Sequence, residues 1–252
     1  MTRTAHRAFT IVELFVVILI VASLAALTTP TIVGMREKAK ALIALSDLRQ
    51  HSQVFVEYTG DNKDRFPYYL DPDATYTVMR HGDISIPTPY WMGFSRWNIA
   101  LAEYYGDDPW QPIFIAPQVV AAYENWGGSW GTTYYYGHVF ISRPQFWRPE
   151  MRLGDHSQRG PTGYTEVAFP SDKGLLRDEW SFSNNSGVEA VGSNVNIGFC
   201  DASARSVSVG QFLPSYPGGV GVQYWPGDDA PFLVPSGPVM ATMDGVLGRD
   251  VR

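Results

Sequence analysis

Disulfides are excluded first: the 252 residues contain one cysteine, Cys200, which has no intrachain partner. Packing alone must therefore hold the folded body together. Charge is also scarce, at 17% of residues with a net of −6. The only local gathering of basic residues is Arg36, Lys38 and Lys40. That leaves no electrostatic footprint for a duplex-binding face, so no nucleic-acid partner is expected. His6, His51, His81, His138 and His156 are scattered, and no Cys/His set has zinc-ligand spacing, so no metal is expected. There is no heptad, no internal repeat and no Gly triplet period, while 45% hydrophobic content excludes a disordered chain.

Long hydrophobic runs are missing too, with one exception. From Phe9 to Leu27 the chain reads FTIVELFVVILIVASLAAL, in which 16 of 19 residues are apolar. As a helix this run rises about 28 Å, near the roughly 30 Å of a bilayer's hydrocarbon layer. Three readings compete. The run can be a membrane span, a buried core helix, or a secretory signal with Arg3 and Arg7 ahead of it and a small-x-small site at Ser23-Leu24-Ala25. Glu13 separates them, because a carboxylate inside an apolar helix costs about 2.5–3.5 kcal/mol and implies a partner or a function. A disposable signal has no need of it. An ammonium at a new amino terminus just before Phe9, on a neighbouring subunit, would suit it, which predicts self-assembly.

Ala8-Phe9-Thr10-Ile11-Val12-Glu13-Leu14, behind a short basic leader, resembles the prepilin cleavage and methylation motif of type IV pilins and type II secretion pseudopilins. The family's usual residue before the cut is Gly, where this chain has Ala8. The resemblance implies that a prepilin peptidase cuts between Ala8 and Phe9 and methylates the Phe9 amine. It implies that Glu13 serves assembly, and that Pro30 stands where many such pilins interrupt their long first helix. It further implies a leader in the cytoplasm, a single-pass inner-membrane anchor, a head in the periplasm or in an extracellular filament, and partners that are identical or related subunits. On its own physics Pro30 removes a backbone donor, and so marks either a kink or the end of the helix.

After Pro30, Ile32, Met35, Ala39, Leu42, Leu45, Leu48, Phe55 and Tyr58 recur in steps of three and four. They predict an amphipathic helix stopped by Gly60, Asp61 and Asn62, with the stripe broken near Ser52. Tyr58-Thr59-Gly60-Asp61-Asn62 through Pro67 resembles the junction after the long helix in pseudopilin-like proteins of planctomycete-type bacteria. Asp61, Asn62 and Asp64 also offer oxygen donors, so calcium is the one cation this loop could hold. The loop lacks the EF-hand ladder, and capping and turn chemistry explain it more simply.

The expected organisation is a leader over 1–8, a transmembrane half-helix over 9–29, an amphipathic half over 30–58 and an extracytoplasmic head over 59–252. The fold class is α+β and pilin-like, a long N-terminal helix against a small antiparallel sheet in a loop-rich head. Strands are expected at Thr75–Met79, Ile113–Val120, Thr132–Ile141, Thr165–Phe169, Asn194–Phe199 and Arg205–Val209, with a short helix after Ser95. Asn194 to Ser203 resembles the C-terminal hairpin of the same subfamily, with Val191 and Ala202 where that pattern has His and Gly. Ala in a position of positive φ would be strained, so a different turn type is expected.

Gly127-Gly128-Ser129-Trp130-Gly131 fits the Gly-x-Ser-x-Gly hydrolase pattern, but the strand-like Thr132–Tyr136 follows where a nucleophile elbow needs a helix. No enzyme activity is expected. Between Tyr90 and Trp147 stand 17 aromatic residues, dense enough for a glycan-stacking platform but better read as core filling in a body short of long strands. The sequence thus points to a structural subunit of a type IV pilus or type II secretion filament. The alternative is a soluble extracytoplasmic binding protein released by signal peptidase.

Overall fold

A computed structural model describes residues 10–117, 119–120, 131–153, 155–178, 194–216, 224–225, 234–235 and 237–252. The fold is α+β: helices with antiparallel sheets. The chain forms two units, residues 1–40 and residues 41–252. Helix α1 spans Ile11–Asp61, so its last 21 residues belong to the second unit. Pro30 lies inside α1, and the helix does not end there.

The expected inner-membrane anchor over 9–29 is overturned. Among the described residues no helix is long and apolar enough to cross a membrane. The helix starts at Ile11. Beyond Glu13 the apolar stretch is Leu14 to Leu27, about 21 Å of rise against the roughly 30 Å a span requires, and Thr28, Thr29 and Pro30 close it.

In the second unit α1 buries Ala44, Leu48, His51, Ser52, Phe55 and Thr59, a stripe in steps of three and four. Leu42 of the expected stripe is instead exposed. The helix ends in a left-handed reversal at Lys63 and Asp64, with φ of 54° and 63°. The Asp64 N–H donates to the Thr59 carbonyl at 2.9 Å, the long-range bond of a Schellman cap.

The buried stripe belongs to a core shared with a four-stranded antiparallel sheet in the order β3 (Tyr134–Tyr136), β4 (Gly174–Asp178), β5 (Asn194–Phe199), β6 (Ala204–Ser208). A separate hairpin pairs β1 (Thr77–His81) with β2 (Ile84–Thr88), and β7 (Tyr224–Trp225) pairs with β8 (Val234–Pro235). Helix α2 (Trp97–Ala100) and a 3-10 turn over Ala102–Tyr105 follow Ser95, where a short helix was expected.

Two expected strands fail. Ile113–Val120 begins instead in a 3-10 turn at Pro112–Phe114, because Thr133 takes its backbone groups: the Ala116 N–H donates to Thr133 Oγ1 at 2.7 Å and the Thr133 N–H to the Phe114 carbonyl at 3.1 Å. Thr165–Phe169 holds a 3-10 turn at Tyr164–Glu166. The expected strand over Thr132–Ile141 narrows to β3, and a 3-10 turn at His138–Phe140 follows it.

Aromatic side chains fill the core, as read. Trp91, Phe94, Trp97, Tyr105, Phe114, Tyr134, Tyr136, Phe140, Phe146 and Trp147 are all buried, while Tyr123, Trp126 and Trp130 lie outside the described residues. Trp97 packs edge-on to Phe55 at 5.1 Å and donates its indole N–H to the Tyr134 carbonyl at 2.7 Å, so a large apolar ring is buried with its one polar atom satisfied.

A candidate assembly surface on α1

Among the described residues of the first unit no apolar side chain is covered. Ile11, Val12, Leu14, Phe15, Val16, Val17, Ile18, Leu19, Ile20, Val21, Leu24 and Leu27 are all exposed, from 49% at Val16 to 74% at Ile11 and Leu27. They occupy every side of the helix, and a helix apolar all round is stable only when buried against something else. Two of its hydroxyls are satisfied within the helix: Ser23 Oγ donates to the Leu19 carbonyl at 2.8 Å and Thr29 Oγ1 to the Ala25 carbonyl at 2.7 Å. A partner covering this surface would strand neither hydroxyl.

Glu13 sits at the entrance of this surface. The Thr10 N–H and Thr10 Oγ1 both donate to Glu13 Oε2, at 2.9 and 2.8 Å, and the Glu13 N–H donates back to Thr10 Oγ1 at 3.2 Å. This is a capping box with Thr10 as N-cap and Glu13 three residues on. The Thr10 bonds favour the charged form and hold the Glu13 carboxyl below its ordinary range. The Thr-x-x-Glu spacing was readable in the sequence; reading Glu13 only as a charge that needs a neighbour's amine overlooked it. Ala8 and Phe9, the expected processing site, lie outside the described residues, as does Val191.

The other candidate groups do not converge. Asp61 accepts from the Tyr104 hydroxyl at 3.0 Å, Asn62 donates to the Tyr58 carbonyl at 2.9 Å, and Asp64 accepts from the N–H and hydroxyl of Thr165. The three donors of the possible calcium loop thus serve three separate contacts. Among the described residues no three His, Cys, Asp or Glu side chains gather as a ligand set. Gly127 to Trp130 lie outside the described residues. His138 is buried and donates from Nε2 to the Trp91 carbonyl at 2.9 Å, whereas Asp155 caps its own turn through Ser157.

His51, on the buried stripe of α1, could be taken for a functional histidine. Its Nε2 faces the Ile113 carbonyl at 2.9 Å and therefore carries the proton, which leaves Nδ1 to accept from the Tyr105 hydroxyl at 2.7 Å. The ring stacks on Phe114 at 5.5 Å, and burial pushes its pKa down to about 4. It is a neutral strut joining α1 to the segment around Ile113. Comparison with protein-family models, with curated proteins and with solved structures finds no match to this chain.

Proposed function

We propose that the chain is a structural subunit of a filament of the type IV pilin or type II secretion pseudopilin kind, joined to copies of itself or to related subunits through the first half of α1. The observation that carries this reading is the uncovered apolar surface of Ile11–Leu27. Covering a side chain of Leu, Ile, Val or Phe size is worth about 1.5–3 kcal/mol, so a dozen left in water strongly favour association. The resemblance of Ala8 to Leu14 to the prepilin motif supplies the kind of assembly and the order of events: a prepilin peptidase cuts between Ala8 and Phe9, and the new Phe9 amine meets Glu13 of a neighbour. The Thr10–Glu13 capping box supports that order, because it keeps the carboxylate charged at the helix start, where an ammonium can join it. The role is structural, with no catalytic step.

The test is Leu19→Glu. Glutamate is a good helix former, so the substitution leaves the helix intact while placing a charge in the middle of the surface. The wild-type chain should sediment as polymers, and the variant should remain a single subunit with an unchanged near-ultraviolet signature of its buried tryptophans. Polymers of the variant indistinguishable from wild type would overturn the reading.

A further inference from the structure

Lys173 lies just before β4, and Asp250 stands 77 residues further along the chain. Both side chains are buried, at 0% and 1% exposure, with Nζ 3.2 Å from Oδ2. Thr242 bridges the pair, since its hydroxyl accepts from Lys173 Nζ and donates to Asp250 Oδ1. The Gly174 N–H donates to Oδ2 at 2.9 Å and the Val239 N–H to Oδ1 at 2.9 Å. The backbones are fixed as well. The Lys173 carbonyl accepts from the Cys200 N–H at 3.0 Å and the Asp250 N–H donates to the Asp172 carbonyl at 3.0 Å. The Phe140 ring lies 6.0 Å from Nζ.

A buried ion pair is a costly way to join two segments, because the desolvation of both charges offsets most of their attraction. Here the surroundings favour a way out of that cost. We propose that Lys173 and Asp250 condense into an intramolecular amide, sealing the start of β4 to the C-terminal segment. Thr242 offers the route for a proton to pass from the ammonium through its hydroxyl to Oδ1, leaving a neutral amine beside a carboxylic acid. The Nζ lone pair then attacks Cγ, forming the C–N bond. The Gly174 N–H stabilises the negative charge that develops on Oδ2, as a preorganised donor does in acyl transfer. A second proton leaves nitrogen for Oδ1 along the same route, the Cγ–Oδ1 bond breaks, and one water departs. The balance is ammonium plus carboxylate giving amide plus water, with no oxidant, reductant or cofactor. Fixed contact supplies the proximity that makes such a step unimolecular. Burial, which pulls the Lys173 pKa down, favours its first proton transfer. The inference is independent of the filament reading.

The experiment is mass spectrometry of the purified full chain, intact and after complete tryptic digestion under denaturing conditions. The intact mass should fall about 18 Da below that of the same chain without the bond. Digestion should yield a branched peptide in which residues 160–177 carry residues 250–252, because trypsin cannot cut at an acylated Lys173. Thr242→Val should lower the yield of this peptide at least tenfold and Thr242→Ser restore it, whereas a Thr242 that is only structural would leave the yield unchanged. Cleavage after Lys173 in wild type, with 250–252 recovered free and no mass deficit, would overturn the proposal whether or not the variants fold.

Discussion

Ser52 of α1 and Gly198 of β5 meet so closely that a Cβ on Gly198 would stand 2.3 Å from Ser52 Oγ and 2.9 Å from the Leu48 carbonyl oxygen. Two small residues thus set how near the helix lies to the sheet, and the break in the apolar stripe at Ser52 is the reason the contact fits. Gly198→Ala should destabilise the chain by about 1–3 kcal/mol through overpacking, measured as a lower urea midpoint at unchanged slope. Serine shortening alone should not restore it, because the Leu48 oxygen belongs to the backbone. An unchanged midpoint would show that helix and sheet can separate freely.

Ala202 adopts φ of 63° in the β5–β6 turn, where the sequence led us to expect a turn that avoids positive φ. The reason is local. Asp201 Oδ1 accepts from the Ser203 N–H at 3.0 Å and from its hydroxyl at 2.6 Å, and the Phe199 N–H donates to the Ser203 carbonyl at 2.8 Å, so the loop closes around a left-handed residue. Ala202→Gly removes that strain and should raise stability by about 1 kcal/mol, read from the same denaturation curve.

His51 and His138 are buried and neutral, with pKa values pushed down by burial to about 4 and about 3 from an ordinary 6.5. In this range the unfolded chain binds more protons than the folded one, so stability falls as pH falls. Their contribution is complete above pH 6.5 and shrinks steadily toward pH 4. Thermal unfolding at pH 7, 5.5 and 4.5 should show a falling midpoint. A midpoint that rises on acidification would contradict the buried, neutral assignment.

Much of this organisation was legible in the residues. Helix α1 followed from apolar spacing, and the β5–β6 hairpin from alternation between Asn194 and Ser208. Strand β4 was not legible, because all five of its residues are buried and two of them are Arg177 and Asp178, which erases any alternation. Strand β2 was hidden by Pro87, a residue that the edge of a two-stranded hairpin tolerates. Lys173 and Asp250 had no signal at all, since only the fold brings them together. That no helix among the described residues is long and apolar enough to cross a membrane has a different cause: the helix begins at Ile11, and its uncharged apolar stretch begins only after Glu13.

The Thr10–Glu13 capping box separates two roles that Glu13 could play. Glu13→Gln keeps an acceptor for the Thr10 N–H and should retain the helix start, yet it removes the charge that a neighbour's amine would meet. Polymer yield should therefore drop at least tenfold while helix content, followed by circular dichroism, stays the same. Unchanged yield would assign Glu13 to capping alone.

The most direct test is the mature amino terminus of the protein isolated from its native host, read by mass spectrometry. An N-methylated Phe9 is the expected result, since a cut between Ala8 and Phe9 keeps the whole apolar half of α1 for assembly. A terminus just after Ala25 would contradict it, because that cut discards Glu13 and nearly all of the exposed surface from Ile11 to Leu27.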